Sequence, residues 1–165
     1  MNEVTTIIQY RVISKSDVEI NEYHRMRFSL WPHHNENELY NEMLQILEGK
    51  TFYKNELSWT VFVAVRENGS LGGFIEITIY PQLDLCDSKP IGYIEGWYVD
   101  EDLRNSGVGK RLVDIAQKWA VENECTEIAS DVEVDNKVSQ LAHQALGFNK
   151  YHEANECIFY KKSLI

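Results

Sequence analysis

Prolines are scarce in this chain, three in 165 residues, and cysteines equally so. The three cysteines (Cys86, Cys125 and Cys157) are odd in number, widely spaced and without a Cys-x-x-Cys pair. That spacing argues against a disulfide framework or a zinc site and for a reducing compartment, the cytoplasm. Each thiol reads as a small buried hydrophobe rather than a nucleophile. No apolar run approaches the roughly 20 residues that span a bilayer. The opening MNEVTTIIQYRV, acidic early and short in its apolar stretch, does not read as a signal peptide. No repeat, low-complexity tract or Pro/Gly/Ser linker interrupts the chain, so one domain over residues 1–165 is expected. Basic residues are also in deficit: 16 Lys and Arg stand against 26 Asp and Glu, a formal charge of −10. Such a field repels nucleic acid and anionic membranes and draws cations. Taken alone it reads as solubility; it bears on function only where the acids converge on a pocket.

What the chain does contain is an ordinary globular balance, 44% hydrophobic and 25% charged. Residues 5–13 read as a strand. Ser16-x-x-Glu19 resembles a capping box opening a helix to about residue 30, which must stop before Pro32. Asn35-x-x-Glu38 starts a second helix, with Leu39, Met43, Ile46 and Leu47 at helical spacing. Residues 58–68 and 71–80 form a hairpin across Asn68-Gly69. Residues 91–100 form a central strand whose apolar side chains fall on both faces, as in a strand covered on two sides. A helix from Val108 carries the stripe Leu112, Ile115, Ala116, Trp119. A second, before Gly147, carries Val138, Leu141, Ala142, Ala145 and Leu146. Strands are expected at 126–134 and 157–164. The order β, two helices, β meander, α-β-α-β gives an α/β fold: one mixed, mostly antiparallel sheet with helices on both faces.

The stretch EGWYVDEDLRNSGVGKRLV (95–113) carries chemistry. A strand ends near Asp100 and a turn leads through Arg104-Asn105-Ser106-Gly107-Val108-Gly109 into an amphipathic helix. Glycines at 107 and 109 let the backbone come close to a bulky ligand. The first N–H groups of the helix have no internal partner and point outward with the positive end of the dipole, which suits a phosphate or pyrophosphate. Arg104, Lys110 and Arg111 add positive charge. A Gly-x-Gly alone fits a plain helix start equally well.

In its context the segment says more. Arg104-x-x-Gly107-x-Gly109 after a strand resembles the pyrophosphate signature of the GNAT acetyltransferase superfamily, and Asn136 through Gly147-Phe148 resembles its Asn…Gly-Phe segment. SLWPHH (29–34), YIEGWYV (93–99), CTEIASDVEVDN (125–136) and HQALGF (143–148) resemble the aminoglycoside 6′-N-acetyltransferases over nearly all of residues 20–163. The loop 81–90 and the stretch 149–156 fit least well. The resemblance implies a GNAT fold, a homodimer, acetyl-CoA as cosubstrate, no metal, and the 6′-amino group of an aminoglycoside antibiotic as acceptor. Cofactor binding then falls to the backbone of Trp97, Tyr98 and Val99, to Arg104, Asn105, Ser106, Gly107, Val108, Gly109 and Lys110, and to Asn136.

Acceptor residues follow in the same way, each beside a plainer reading. Trp31 stacks on a sugar face with His34 nearby, or is a core tryptophan at a helix end; His33 is a surface residue. Glu95, mid-strand, is expensive to bury unless paired; it binds the acceptor and accepts its proton, or forms a structural ion pair with a local Lys or Arg. Asp131 resembles the family's acceptor-binding aspartate. Asp135 reads as a helix cap, although Asn136 could be that cap. Glu156 stands where a third acidic contact is expected, with Glu153 an equal candidate. Where many family members have a tyrosine four residues before Gly-Phe, this chain has His143, a proton donor to the thiolate or a buried neutral ring. The expected reaction is direct attack of the amine on the thioester, with Glu95 and Asp131 as catalytic carboxylates and a strand N–H near Val99 as oxyanion donor. Rival readings are a polyamine, another small amine or a protein N-terminus as acceptor, or a non-catalytic acetyl-CoA- or drug-binding protein.

Overall fold

A computed structural model of the chain describes residues 7–49 and 58–165; positions 5 and 6 of the expected first strand lie outside them. Strand β1 spans Ile8–Val12. Helix α1 (Asp17–Leu30) starts where Ser16 Oγ accepts the Glu19 N–H at 3.3 Å. Glu19 does not return the bond as a capping box would: its carboxylate takes Arg11 Nη1 at 2.8 Å and the Ser14 hydroxyl. The Trp31 N–H closes the helix on Arg27 O (3.0 Å), and Pro32 follows. Helix α2 (Glu36–Leu47) is capped by Asn35, whose Oδ1 accepts the Glu38 N–H at 3.1 Å, and it buries Leu39, Met43 and Ile46.

Strands β2 (Ser58–Arg66) and β3 (Leu71–Tyr80) form the expected hairpin. Strand β4 (Ile91–Val99) leads through a 3₁₀ turn, Glu101–Leu103, to helix α3 (Val108–Glu122). Then come β5 (Glu127–Glu133), α4 (Lys137–Ala145), β6 (Asn149–Ala154) and β7 (Cys157–Ser163). The described strands make one sheet in the order β1-β2-β3-β4-β5-β7-β6. The β4–β5 pair is parallel; β1–β2, β5–β7 and β6–β7 are antiparallel.

Two expectations change here. Strand β6 is an addition to the expected elements: NKYHEA has no apolar alternation, its residues are mostly exposed, and pairing with β7 alone makes it a strand. The face of α4 is also different. Val138 and Leu141 are 80% and 65% exposed, whereas Gln140 and His143 are buried. These polar side chains go inside because they are satisfied there: Gln140 Nε2 donates to Val134 O (2.9 Å) and Glu133 O (3.2 Å), and His143 is bonded on both ring nitrogens.

The described residues cluster into two compact units, one running to Glu76 and including Gly96–Val113, the other Ile77–Glu95 with Asp114–Ile165. The first packs Tyr23 and Met26 of α1 and Met43 and Ile46 of α2 on Val61, Val63, Leu71 and Phe74 of β2 and β3. At its heart lies a polar group. Arg27 and Glu76, 2% and 1% exposed, are ion-paired, and Tyr23 donates its hydroxyl to the same carboxylate. Arg27 Nη2 reaches Glu42 at 3.0 Å. In the same unit Asp100 accepts from Arg25 (2.9 Å) and Arg66 (3.1 Å), and Arg66 also reaches Asp102 (2.8 Å). Those bonds pin the turn that follows β4. The second unit gathers Ile91, Tyr93 and Ala129 with Tyr80, Leu83 and Cys86.

Candidate active site

The parallel ladder between β4 and β5 covers Gly92–Ile94 against Ile128–Ser130, and β4 continues to Val99. Asp100 gives its N–H to Gly72 O at 2.8 Å, and the main-chain groups of a strand alternate in direction, so those of Val99 turn to the edge away from β3. Arg104 confirms the direction: its Nε–H donates to Val99 O at 2.9 Å. Its guanidinium carbon lies 5.7 Å from the centre of the Tyr98 ring. The loop then enters α3 with Asn105 and Gly107 in the left-handed region (φ 61° and 88°). The Ser106 hydroxyl donates to Leu103 O, and Val108 buries its side chain, which leaves that residue only main chain to offer. Gly109 sits against β4: a Cβ there would stand 3.2 Å from the Trp97 ring and 3.5 Å from Val99 Cγ2. The Arg111 N–H donates to Gly107 O at 3.0 Å in the opening turn of the helix. Among the described residues, no well-formed main-chain hydrogen bond takes the amides of Asn105, Ser106, Gly107, Val108 or Gly109. A helix start with bare amides and Arg104 alongside is built for an anion.

On β3, Phe74, Glu76, Thr78 and Tyr80 alternate onto one face. Phe74 meets Tyr98, and Glu76 lies 3.0 Å from where a Gly96 Cβ would be. Thr78 Oγ1 lies 3.0 Å from Glu95 Oε1, and Tyr80 meets the ring of Tyr93. Gly96 and Tyr98 thus lie with Phe74 and Glu76, and Tyr93 and Glu95 with Tyr80 and Thr78, whereas Trp97 and Val99 meet Gly109 of α3.

Glu95 is half-buried, and its Oε1 accepts from the Tyr80 hydroxyl at 2.7 Å. The Thr78 hydroxyl also lies 3.3 Å from Tyr93 O, so its one proton serves a single acceptor at a time. Hydroxyl donors orient a carboxylate without cancelling its charge. Asp131 is exposed on β5 and accepts the Tyr93 hydroxyl. Burial first, then the charges of Asp131 and Glu95, push the Tyr93 phenol far above its ordinary range. Tyr93 therefore faces both predicted carboxylates.

Trp31 is half-buried at the end of α1, with the Arg27 guanidinium 4.9 Å from its ring centre. The far edge of its ring rests on Gly96: a Cβ there would stand 2.9 Å from Trp31 Cη2 and 3.2 Å from Phe74 Cε2. Gly96→Ala is expected to cost about 1–3 kcal/mol as one of these rings shifts, measurable by chemical denaturation. His34 and His33 are exposed; the His34 ring lies 6.2 Å from that of Trp31. Glu156 is exposed in the β6–β7 turn with φ 62°, and Glu153 pairs with Lys150 on exposed β6. The loop 81–90 is tied down, with Ser88 N–H donating to Glu127 Oε1 (2.8 Å) and Lys161 Nζ to Leu85 O (3.0 Å). The cap of α4 is Asn136, not Asp135: its Oδ1 accepts the Ser139 N–H at 3.1 Å, because the helix begins at Lys137. Lys110 is exposed. His143 is stacked on Tyr160, lies 2.7 Å from Ser139 O through Nδ1 and 2.9 Å from Ser130 Oγ through Nε2. Burial lowers its pKa, which favours the neutral ring. All three cysteines are free, and burial pushes each thiol up. Among the described residues no cluster of His, Cys, Asp and Glu is arranged to hold a metal, and no helix is long and apolar enough to cross a membrane.

The family model for the acetyltransferase (GNAT) family matches residues 19–148. The chain belongs to the GNAT family. It is 38% identical over 125 residues to the aminoglycoside N(6′)-acetyltransferase type 1 of Klebsiella aerogenes, covering 76% of this chain and 80% of that protein. Identity to the enzyme of the same name from Serratia marcescens is 34%, over 84% of this chain and 89% of the relative. The solved structure of AAC(6′)-Iy with the bisubstrate analogue CoA-S-monomethyl-acetylneamine superposes with a TM-score of 0.75 at 29% identity, over 90% of this chain and 95% of that one. The same enzyme with CoA gives 0.77 at 28% identity, over 93% and 95%. The mixed seven-stranded sheet is thus the GNAT fold.

Proposed function

We propose that this GNAT protein transfers the acetyl group of acetyl-CoA to the 6′-amino group of an aminoglycoside, acting as a single domain over residues 1–165. The bare amides of Asn105 to Gly109 at the start of α3 carry this reading. They fit a diphosphate, with Arg104 and Lys110 beside them and Gly109 letting the helix approach β4. The main chain of Trp97, Tyr98 and Val99 runs along the pantetheine arm, and Asn136, whose Oδ1 is engaged as a cap and whose main-chain N–H goes to Glu133 O, offers its side-chain Nδ2–H. Acetyl-CoA supplies the acetyl group already activated as a thioester. The Val99 N–H, turned to the strand edge, donates to the carbonyl oxygen as charge develops there.

Trp31, His34, Glu95, Asp131 and Glu156 take the cationic sugar. The incoming ammonium gives a proton to Glu95 or Asp131, directly or through water; the free amine attacks the thioester carbon, the C–S bond breaks, and CoA leaves with its sulfur taking the proton that the new amide nitrogen sheds. No covalent enzyme intermediate is needed, in keeping with three thiols held above their ordinary range. A net charge of −10 supports a cationic acceptor and no nucleic-acid or membrane partner. On the same reading the protein is a cytoplasmic homodimer; three free, widely spaced thiols are in keeping with a reducing compartment. The test is CoA release, followed with a thiol reagent, on kanamycin or tobramycin and on the same antibiotic blocked at the 6′ amine. Release is expected only with the unblocked compound; equal release from both would overturn the 6′ assignment.

A further inference from the structure

We propose that Tyr93 is a positioning residue, whose hydroxyl sets the direction of the Asp131 carboxylate on the exposed face of β5. The inference rests on the reading above, in which Asp131 binds the acceptor ammonium. Asp131 is exposed, and a surface aspartate otherwise samples several rotamers. The phenol that reaches it is buried. The Tyr93 ring packs on Tyr80 at 5.5 Å and 72° and against Ile91 and Ala129. Register does the rest: Tyr93 pairs with Ala129 in the parallel ladder, so its hydroxyl meets the residue two further along β5 on the same face. Burial holds the phenol protonated far beyond neutral pH, so it donates under all assay conditions. Glu95 has its own donors in Thr78 and Tyr80, so removing the Tyr93 hydroxyl unties one acceptor carboxylate and leaves those of the other in place.

A double-mutant cycle tests this, with Tyr93→Phe, Asp131→Ala and the pair, each assayed for both KM values, kcat and Tm. Phenylalanine keeps the ring on Tyr80 and leaves the exposed carboxylate to water, so the fold is expected to survive. Tyr93→Phe should raise the aminoglycoside KM about five- to tenfold, with kcat within about twofold and the acetyl-CoA KM unchanged. In the Asp131→Ala background the same change should have no further effect. An equal rise in both backgrounds, or an acetyl-CoA KM and Tm that move with the aminoglycoside KM, would overturn the proposal. An Asp131→Ala protein with normal aminoglycoside KM would instead remove the underlying assignment of Asp131.

Discussion

Exchanging Glu95 for glutamine is expected to lower kcat/KM for a 6′-amino aminoglycoside by roughly 10²- to 10³-fold while leaving the KM for acetyl-CoA within about twofold. The size of the effect comes from two losses at one atom pair. In the proposed reaction the carboxylate is a charged partner for an ammonium and one of the two groups that accept the proton the amine must lose before it attacks. Glutamine keeps the shape and can still accept from Tyr80 and Thr78, which stand 2.7 and 3.0 Å from Oε1, so the strand should hold its course. Trp97 to Val99, further along β4 and proposed to serve the cosubstrate, therefore keep their backbone, and the two KM values should separate. Asp131→Asn is expected to act in the same direction with a smaller loss, because Asp131 is exposed and water screens its charge. If both substitutions left kcat/KM intact, neither carboxylate would belong to the acceptor site.

The largest loss of stability should come from Glu76→Ala. Arg27 is buried, and this change removes the carboxylate that it shares with the Tyr23 hydroxyl, leaving Glu42 at its other nitrogen. Stranding one member of a buried ion pair costs about 3–5 kcal/mol, or roughly 6–20 °C in Tm for a chain of this size. Changing both partners, Arg27→Met with Glu76→Leu, is expected to cost less than Glu76→Ala alone, since no buried charge is then left unmatched. Thermal unfolding by circular dichroism distinguishes these outcomes. Trp31 gives a second readout: its ring stacks on Arg27, so its fluorescence should change with Glu76→Ala.

Signals confined to a few neighbouring residues were legible in the sequence. Ser16 and Asn35 cap their helices as their spacing from Glu19 and Glu38 implies. Long-range pairings were not. The Arg27–Glu76 pair joins residues 49 apart in sequence, and Tyr93–Asp131 joins residues 38 apart. A signal for the first did exist: Glu76 is a lone carboxylate in the apolar strand LGGFIEITIY, the same oddity that singled out Glu95. Helix α4 misled for the opposite reason. Val138 and Leu141 have the right spacing for a core stripe, but carbonyls at the end of β5 and the Ser130 hydroxyl satisfy Gln140 and His143, which draws the polar face inward. Strand β6 is an edge strand, whose pairing replaces the apolar pattern that a reader of sequence looks for. Asn136 displaced Asp135 as cap because the helix starts one residue later than Asn136.

Everything in the proposed reaction begins with an anion held by the main chain where the loop after β4 enters α3. The direct measurement is a titration of the ¹⁵N-labelled chain, following each amide by NMR, first with CoA and then with pantetheine, which lacks the diphosphate. The expected result is large shifts at Ser106, Gly107, Val108 and Gly109 with CoA, and at most small ones there with pantetheine. Equal shifts from both ligands, or CoA shifts that leave those amides untouched, would contradict it.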